Sequence, residues 1–269
     1  MSTIFITGAT DGIGLETAKQ LLGASNHLIV HARNERKAER LIDLLRTIDP
    51  NAATSPVWGD LSSMAEVRNI AAQIKALNIP IDCLINNAGV YSSDYVLTTD
   101  GFELTMAVNY FAAYLLTRLL ADELSKSTHA RIVNVSSMTH SGATLDIDDL
   151  NMEKSWSAYD AYCNSKFANI LFSNALASRH PSSELVSNAL HPGVVTTKLL
   201  REAFSMSGIS TADGAQTSIY LAQHPDTQFL SGKYFVDCAE APADKRTNKP
   251  SLISSLWETS ETILKPFLG

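Results

Sequence analysis

Cysteine is scarce in this sequence, with three in 269 residues. Cys83, Cys163 and Cys238 are too few and too scattered for a disulfide framework or a zinc site, so reduced thiols in a cytoplasmic protein are expected. Positive charge is short as well. With 21 Lys and Arg against 28 Asp and Glu the net charge is −7, which argues against nucleic acid or an anionic membrane as the main partner but leaves room for a local basic patch that binds a phosphate. A long apolar run is missing too. Hydrophobic residues make up 45% of the chain but are dispersed, and the first strand-like run starts within three residues of Met1, so neither a signal peptide nor a transmembrane anchor is expected. No repeat, low-complexity tract or linker-like stretch interrupts the chain, and residues 1–269 are expected to form one domain.

What is present is alternation. Short apolar runs at residues 3–7, 28–32, 55–58, 81–86, 131–135, 184–190 and 233–237 are separated by helix-periodic stretches, among them a long one at 101–125 and another at 159–179. This predicts an α/β fold: a doubly wound, Rossmann-type parallel sheet of about seven strands flanked by helices, with ligands bound beyond the carboxyl ends of the strands at the topological switch point. Less regular segments near 137–157 and 194–213 read as substrate loops. Leu252, Leu256, Ile263 and Phe267 predict an amphipathic helix near 251–268, docked on the domain or a partner subunit, since Glu258 and Glu261 argue against a membrane.

The first apolar run leads straight into Gly8-Ala9-Thr10-Asp11-Gly12-Ile13-Gly14. Glycines allow positive φ and close backbone approach, and a helix opening near Ile13 offers unpaired N–H groups and a positive dipole end to a pyrophosphate. Further along, Tyr162 and Lys166 stand four residues apart on a predicted helix and therefore on one face of it. A cation beside a phenol favours the phenolate. At about 4 Å and an effective dielectric near 20 the interaction is worth up to roughly 4 kcal/mol, enough to bring a group that titrates near 10 into the range of cellular acid–base chemistry.

Taken with Asp60-Leu61, Asn86-Asn87-Ala88-Gly89, Ser136-Ser137 and Pro192-Gly193 with Thr197, these motifs resemble, in order and spacing, the short-chain dehydrogenase/reductase family over nearly the whole chain. Residues 99–103, 131–137 and 161–169 look like its retinol-dehydrogenase-like branch, although Ala112 stands where many relatives have glycine, and retinal is not assumed as the substrate. The resemblance implies that Tyr162 is the acid for carbonyl reduction and the base for alcohol oxidation. It implies that Ser137 bonds the substrate oxygen while Ser136 faces backbone or core, that Lys166 lowers the phenol pKa and holds the nicotinamide ribose, and that Asn109 helps hold a water chain near the lysine. The cofactor would lie along Gly8, Thr10, Asp11, Gly12, Ile13, Gly14, Asn87, Ala88 and Gly89. Asp60 and Leu61 would frame the adenine, and Pro192, Gly193, Val195 and Thr197 would approach the nicotinamide amide. Homodimers or homotetramers are also common in this family.

At the end of the second strand, His31-Ala32-Arg33-Asn34 lacks the acid that an NAD site uses for the ribose 2′-hydroxyl. Arg33 beside Asn34, with Arg36 or Lys37 as a second cation, suits a 2′-phosphate and predicts NADP(H). Substrate selection is assigned to Tyr91, Met138, His140, Trp156, Tyr159, Leu199, Leu200, Phe204 and Met206. Each aromatic among them is also compatible with ordinary packing, and His140 with a loop surface. Asp146, Asp148 and Asp149 read as a solvated turn, so no metal is expected. The expected reaction is carbonyl–alcohol interconversion on a hydrophobic small molecule. A conjugated C=C reductase or epimerase on the same fold, and a non-catalytic NADP(H) sensor or scaffold, are the alternatives.

Overall fold

A computed structural model describes every residue except Ala24 and Ser205, and all side chains of the rest except those of Glu202, Ala203 and Phe204. The substrate assignment of Phe204 therefore lies outside the described residues. Strands and helices alternate as β1 (Ser2–Ile6), α1 (Gly12–Leu21), β2 (Asn26–Ala32), α2 (Glu35–Ile48), β3 (Ala53–Trp58), α3 (Met64–Ala76) and β4 (Cys83–Asn86). The second half runs α4 (Leu104–Met106), α5 (Ala112–Leu119), α6 (Ala121–Ser125), β5 (Ala130–Val135), α7 (Ala158–Arg179), β6 (Leu185–His191), α8 (Lys198–Phe204), α9 (Thr211–Gln223), β7 (Tyr234–Val236), β8 (Ala239–Glu240) and α10 (Pro250–Leu268). The sheet order is β3-β2-β1-β4-β5-β6-β7-β8. Seven strands are parallel and only β8, a two-residue hairpin return from β7, is antiparallel.

Successive strand residues point to opposite faces, and both faces are covered. Phe5 and Ile29 join the core under α3, α5 and α7, whereas Ile4, Ile6, Leu28 and Val30 join Ala18, Leu21, Leu41 and Leu45 of α1 and α2. Side-chain caps start the long helices where the sequence supplies them: Asp11 for α1, Asn34 for α2, Ser63 for α3, Ser157 for α7 and Ser210 for α9. Inside the sheet, Asn86 Nδ2 donates to Asn134 Oδ1 (2.8 Å), whose Nδ2 donates to Ser173 Oγ (2.8 Å), tying β4, β5 and α7 together.

One feature differs from the sequence reading, and one settles between two placements it left open. The stretch 101–125 is not one helix. α4 passes into a π-helical turn at Ala107–Phe111 before α5 begins, and α6 follows separately. A π turn rotates its residues relative to the α-helical rows, and Asn109 there is buried against Val90 and Ser165 and is not among the residues lining the cleft. The C-terminal segment docks on its own domain. Leu256 and Leu264 are buried in the main core, Ser260 Oγ lies 2.7 Å from Tyr110 OH, and Glu261 accepts from Tyr114 OH (2.5 Å) and Arg118 Nε (2.7 Å). The guanidinium groups of Arg179 and Arg118 lie 4.1 and 5.3 Å from the Trp257 ring centroid. Leu264→Ala is expected to destabilise the protein by roughly 2–5 kcal/mol in urea unfolding while leaving dinucleotide affinity unchanged, because it opens a cavity far from the strand ends.

Candidate active site

The site is built where β1 and β4 diverge, the switch point of the sheet. Gly8, with φ +66°, bends the chain away from β1, and a Cβ there would lie 2.9 Å from Ala88 Cα. At Gly14 a Cβ would fall 2.3 Å from both Gly8 O and Asn87 Nδ2, so even alanine does not fit the turn as it stands. Thr7 and Asn87 lock the two strand ends together. Thr7 Oγ1 accepts from Asn87 N (3.0 Å) and Ala88 N (3.0 Å), and Asn87 Nδ2 donates to Thr7 O (2.8 Å). Asp11 caps α1 by accepting from Gly12 N at 2.7 Å.

A cleft of about 630 Å³ starts here. Its walls include Gly8, Thr10, Asp11, Gly12, Ile13, Gly14, Arg33, Lys37, Asp60, Leu61, Asn87, Ala88 and Gly89 on one side, and Ser137, Tyr162, Lys166, Pro192, Gly193, Val195 and Thr197 on the other. Most of the site residues named from sequence thus share one cavity. Asn34 is not among its lining residues. It caps α2 by accepting from Lys37 N (3.1 Å), and Lys37 takes its place at the wall. Asp60 follows the end of β3. It closes a turn by accepting from Ser62 N (2.9 Å), and its Oδ2 lies 3.9 Å from Arg33 Nε in an exposed pair of small energetic weight. Thr197 Oγ1 accepts from Leu200 N (3.2 Å) at the start of α8.

At the other end of the cleft, Tyr162 and Lys166 project from α7 and Ser137 from the end of β5, all three buried. Ser137 is hydrogen-bonded to the Tyr162 phenol. Ser136 Oγ instead donates to Lys166 O (2.7 Å), the backbone role expected for it. Lys166 Nζ donates to Val135 O (2.9 Å) and lies 5.6 Å from the Tyr162 ring centroid. The sequence expectation that Lys166 lowers the phenol is not met in the chain alone. Burial dominates, pushing Tyr162 up to about 12 against the smaller opposing effect of the Ser137 bond, and pushing Lys166 down to about 8. The ammonium donates to a main-chain carbonyl. Asn109 Nδ2 donates to Val90 O (3.0 Å) and Ser165 Oγ (3.0 Å), and its Oδ1 accepts from Val90 N (2.7 Å). It therefore joins the π turn, the segment after β4 and α7 beside the lysine.

Two histidines were not recognised for what they do. His31 is buried, with Nδ1 accepting from Gly8 N (3.1 Å) and Nε2–H donating to Gly59 O (2.9 Å), so the ring is neutral and braces the glycine turn, and burial lowers its pKa. A histidine inside an otherwise apolar strand was the available signal. His191, at the end of β6, lines the cleft with Nδ1 unpaired among the described residues. Met138, Leu199, Leu200, Met206 and Tyr91 line the open end, and the Tyr91 ring lies 5.7 Å from that of Tyr162. Trp156 and Tyr159 do not line it. Trp156 Nε1 donates to Glu103 Oε1 (3.3 Å) and its ring packs on Tyr95. His140 is neither on a loop surface nor in the cleft but buried behind it. Asp146 and Asp149 cap turns by accepting from Asp148 N (3.0 Å) and Glu153 N (2.9 Å).

A parallel sheet in this order, with a three-glycine turn at its switch point and Ser137, Tyr162 and Lys166 facing it across a cleft, is the arrangement of a dinucleotide-dependent oxidoreductase. Residues 2–208 match the short chain dehydrogenase family model, and the chain belongs to that family. Retinol dehydrogenase 14 of Homo sapiens is 36% identical across 97% of this chain and 86% of its own length. Among solved structures, an uncharacterised protein from Mycobacterium paratuberculosis superposes with a TM-score of 0.82 at 28% identity, covering 98% of this chain and 94% of that one. The NADPH-bound carbonyl reductase from chicken fatty liver shares the fold, with a TM-score of 0.69 at 22% identity over 90% and 99% of the two chains.

Proposed function

We propose that this oxidoreductase interconverts a carbonyl and an alcohol on a hydrophobic small molecule in the cytoplasm, with NADP(H) as cofactor. The observation that carries the reading is the buried Ser137–Tyr162 hydrogen bond with Lys166 one helical turn further on. At neutral pH a phenol held near 12 carries its proton and can donate it to an oxygen that gains negative charge, while the Ser137 hydroxyl stabilises the same oxygen. Lys166 places a titratable ammonium within the same buried volume.

The residues present fit a dinucleotide. The turn leaves no room for a Cβ at Gly8 or Gly14, α1 presents its N-terminus, and His191 Nδ1 on the cleft wall is without a partner among the described residues. Gly8 to Gly14 and Asn87 to Gly89 would hold its phosphates and ribose, and Pro192 to Thr197 its nicotinamide end. When bound, the cofactor supplies or accepts the hydride. The protein supplies orientation and the proton.

Preference for NADP(H) rests on Arg33 and Lys37, the cations at the far end of the cleft. Arg33→Ala is expected to weaken NADPH binding by roughly 10- to 100-fold, the value of one or two charge-assisted hydrogen bonds, and to leave NADH binding nearly unchanged. Dissociation constants for both cofactors check this. Selectivity that survives the substitution would transfer the role to Lys37.

The reaction class is tested by offering ketones, aldehydes, enones and alcohols with NADPH or NADP+ and identifying the products. Alcohol formed from a carbonyl supports the proposal. A saturated carbonyl formed from an enone would move the protein to C=C reduction, and cofactor binding without turnover of any class would favour a sensor.

A further inference from the structure

Ser137 lies at the carboxyl end of β5 with extended backbone (φ −158°, ψ 157°), followed by a 3₁₀ turn at Met138–Gly142. A serine side chain has one short arm, so the position of its Oγ is set by the backbone that carries it and by one rotamer, which here accepts from Thr139 N (3.2 Å) in the turn that follows. That backbone is held from behind. The Ser137 carbonyl accepts from His140 Nδ1 at 2.6 Å as well as from His140 N at 3.2 Å. His140 is only 4% exposed, and its other ring nitrogen, Nε2, accepts from Asp244 N at 3.1 Å. With Nε2 committed as acceptor, Nδ1 carries the proton and donates to Ser137.

The segment that fixes this tautomer is itself braced. Asp244 Oδ1 accepts from Arg246 N (2.8 Å) and Nε (3.0 Å), and its Oδ2 accepts from Nη2 (2.8 Å). Arg246 Nη1 then donates to Ala143 O (2.7 Å), just past the 3₁₀ turn, and its guanidinium lies 5.0 Å from the ring centroid of Phe167, the neighbour of Lys166 on α7. One strap from the C-terminal third thus grips both the turn behind Ser137 and the helix that carries Tyr162 and Lys166. None of His140, Asp244 or Arg246 lines the cleft.

We infer that His140, braced by Asp244 and Arg246, is a positioning residue for Ser137 that sets the serine hydroxyl against the Tyr162 phenol. The inference rests on the proposed role of Ser137 in the reaction. Misplacing a reacting group by about 1 Å costs on the order of 100-fold in rate, so a residue outside the cleft can govern turnover.

The test is a double-mutant cycle with single-turnover rates, KM and NADPH dissociation constants, using a carbonyl substrate found in the screen above. His140→Phe is expected to lower kcat by roughly 10- to 100-fold with KM and NADPH affinity nearly unchanged. His140→Asn, which can return an N–H near the Nδ1 position, is expected to recover much of the loss. In a Ser137→Ala background His140→Phe is expected to cause no further loss, because the group it positions is gone. Arg246→Ala, at a partly exposed side chain, should show the same silence over Ser137→Ala with a smaller loss on its own, and it carries the cycle if His140→Phe does not fold. Equal losses in the wild-type and Ser137→Ala backgrounds, or a change confined to KM or NADPH affinity, would overturn the inference and leave the role of Ser137 standing. Wild-type turnover in Ser137→Ala itself would remove the serine from the reaction, and the inference with it.

Discussion

Phenylalanine at position 162 is expected to slow carbonyl reduction by at least roughly 10²- to 10⁴-fold, the usual loss when a general acid is deleted, while NADPH affinity stays nearly unchanged. The substitution keeps the ring against Tyr91, at 5.7 Å, and removes only the hydroxyl bonded to Ser137. Burial has already pushed the phenol up to about 12, so at neutral pH the wild type holds the proton that reduction consumes. Alcohol oxidation needs the opposite form. Its rate in the wild type is therefore expected to climb through the alkaline range as the phenolate becomes populated, and the Phe variant should lack that climb. The measurement is the single-turnover rate of nicotinamide absorbance change across pH. A variant that reduced substrate at the wild-type rate, with chemistry limiting, would take Tyr162 out of the reaction.

Lys166→Met should also slow turnover, and it should weaken cofactor binding as well, because Lys166 is assigned to both the phenol and the ribose. Combined with Tyr162→Phe it should cost less than the product of the two single losses, since both act on one proton transfer. A second signature requires no substrate. The lysine takes up its proton below 10.5 when unfolded but only below about 8 when folded. Between those pH values the unfolded chain binds the additional proton, so stability falls as pH falls from 10.5 to 8, by about 3 kcal/mol in full. Methionine removes that dependence. Urea unfolding of the two proteins at pH 10 and at pH 7 should show Lys166→Met gaining on the wild type at the lower pH, over a constant offset from the lost bond to Val135 O. The comparison stops at pH 10 because Tyr162, raised from 10 to about 12, then acts in the opposite direction: its contribution is lost as pH rises through its folded value. A difference that does not vary with pH would mean that Lys166 is hydrated, not buried.

The parallel sheet was legible because its strands are apolar on both faces and are spaced by amphipathic stretches. All seven predicted runs became strands, within two residues at their ends. The glycine turn was legible because part of its cause is local, the positive φ at Gly8 and the Gly8 carbonyl against Gly14; the close approach of Asn87 and Ala88, about 80 residues on, was not. Asn109 was placed by resemblance, but nothing in 107–111 announces a π turn, which depends on packing against Val90 and Ser165 that sequence does not display. The effect of burial on Tyr162 was not legible for a similar reason. Spacing on a helix puts Lys166 beside the phenol, but it does not reveal that both are buried or that the ammonium is taken by Val135 O. Asn34 is read from sequence only as a cofactor residue, but a polar residue before a helix can also cap it, and here it caps. His140 could not be placed at all, because its partner at Asp244 is 104 residues away.

Docking of α10 on α5 and α7 has a consequence for how the chain reaches its native state. Tyr110, Tyr114 and Arg118 find Ser260 and Glu261 across separations of 150, 147 and 143 residues. The core beneath α5 and α7 therefore stays open on that side until residues 250–268 have been synthesised, and during translation it presents Tyr114 and Phe172 uncovered. Closure by such long-range contacts is expected to be slower than the local β–α–β pairings. A chaperone that recognises aromatic surface would meet this protein at that stage, and lesions in α10 should reduce the yield of folded protein more sharply than they reduce the stability of molecules already folded.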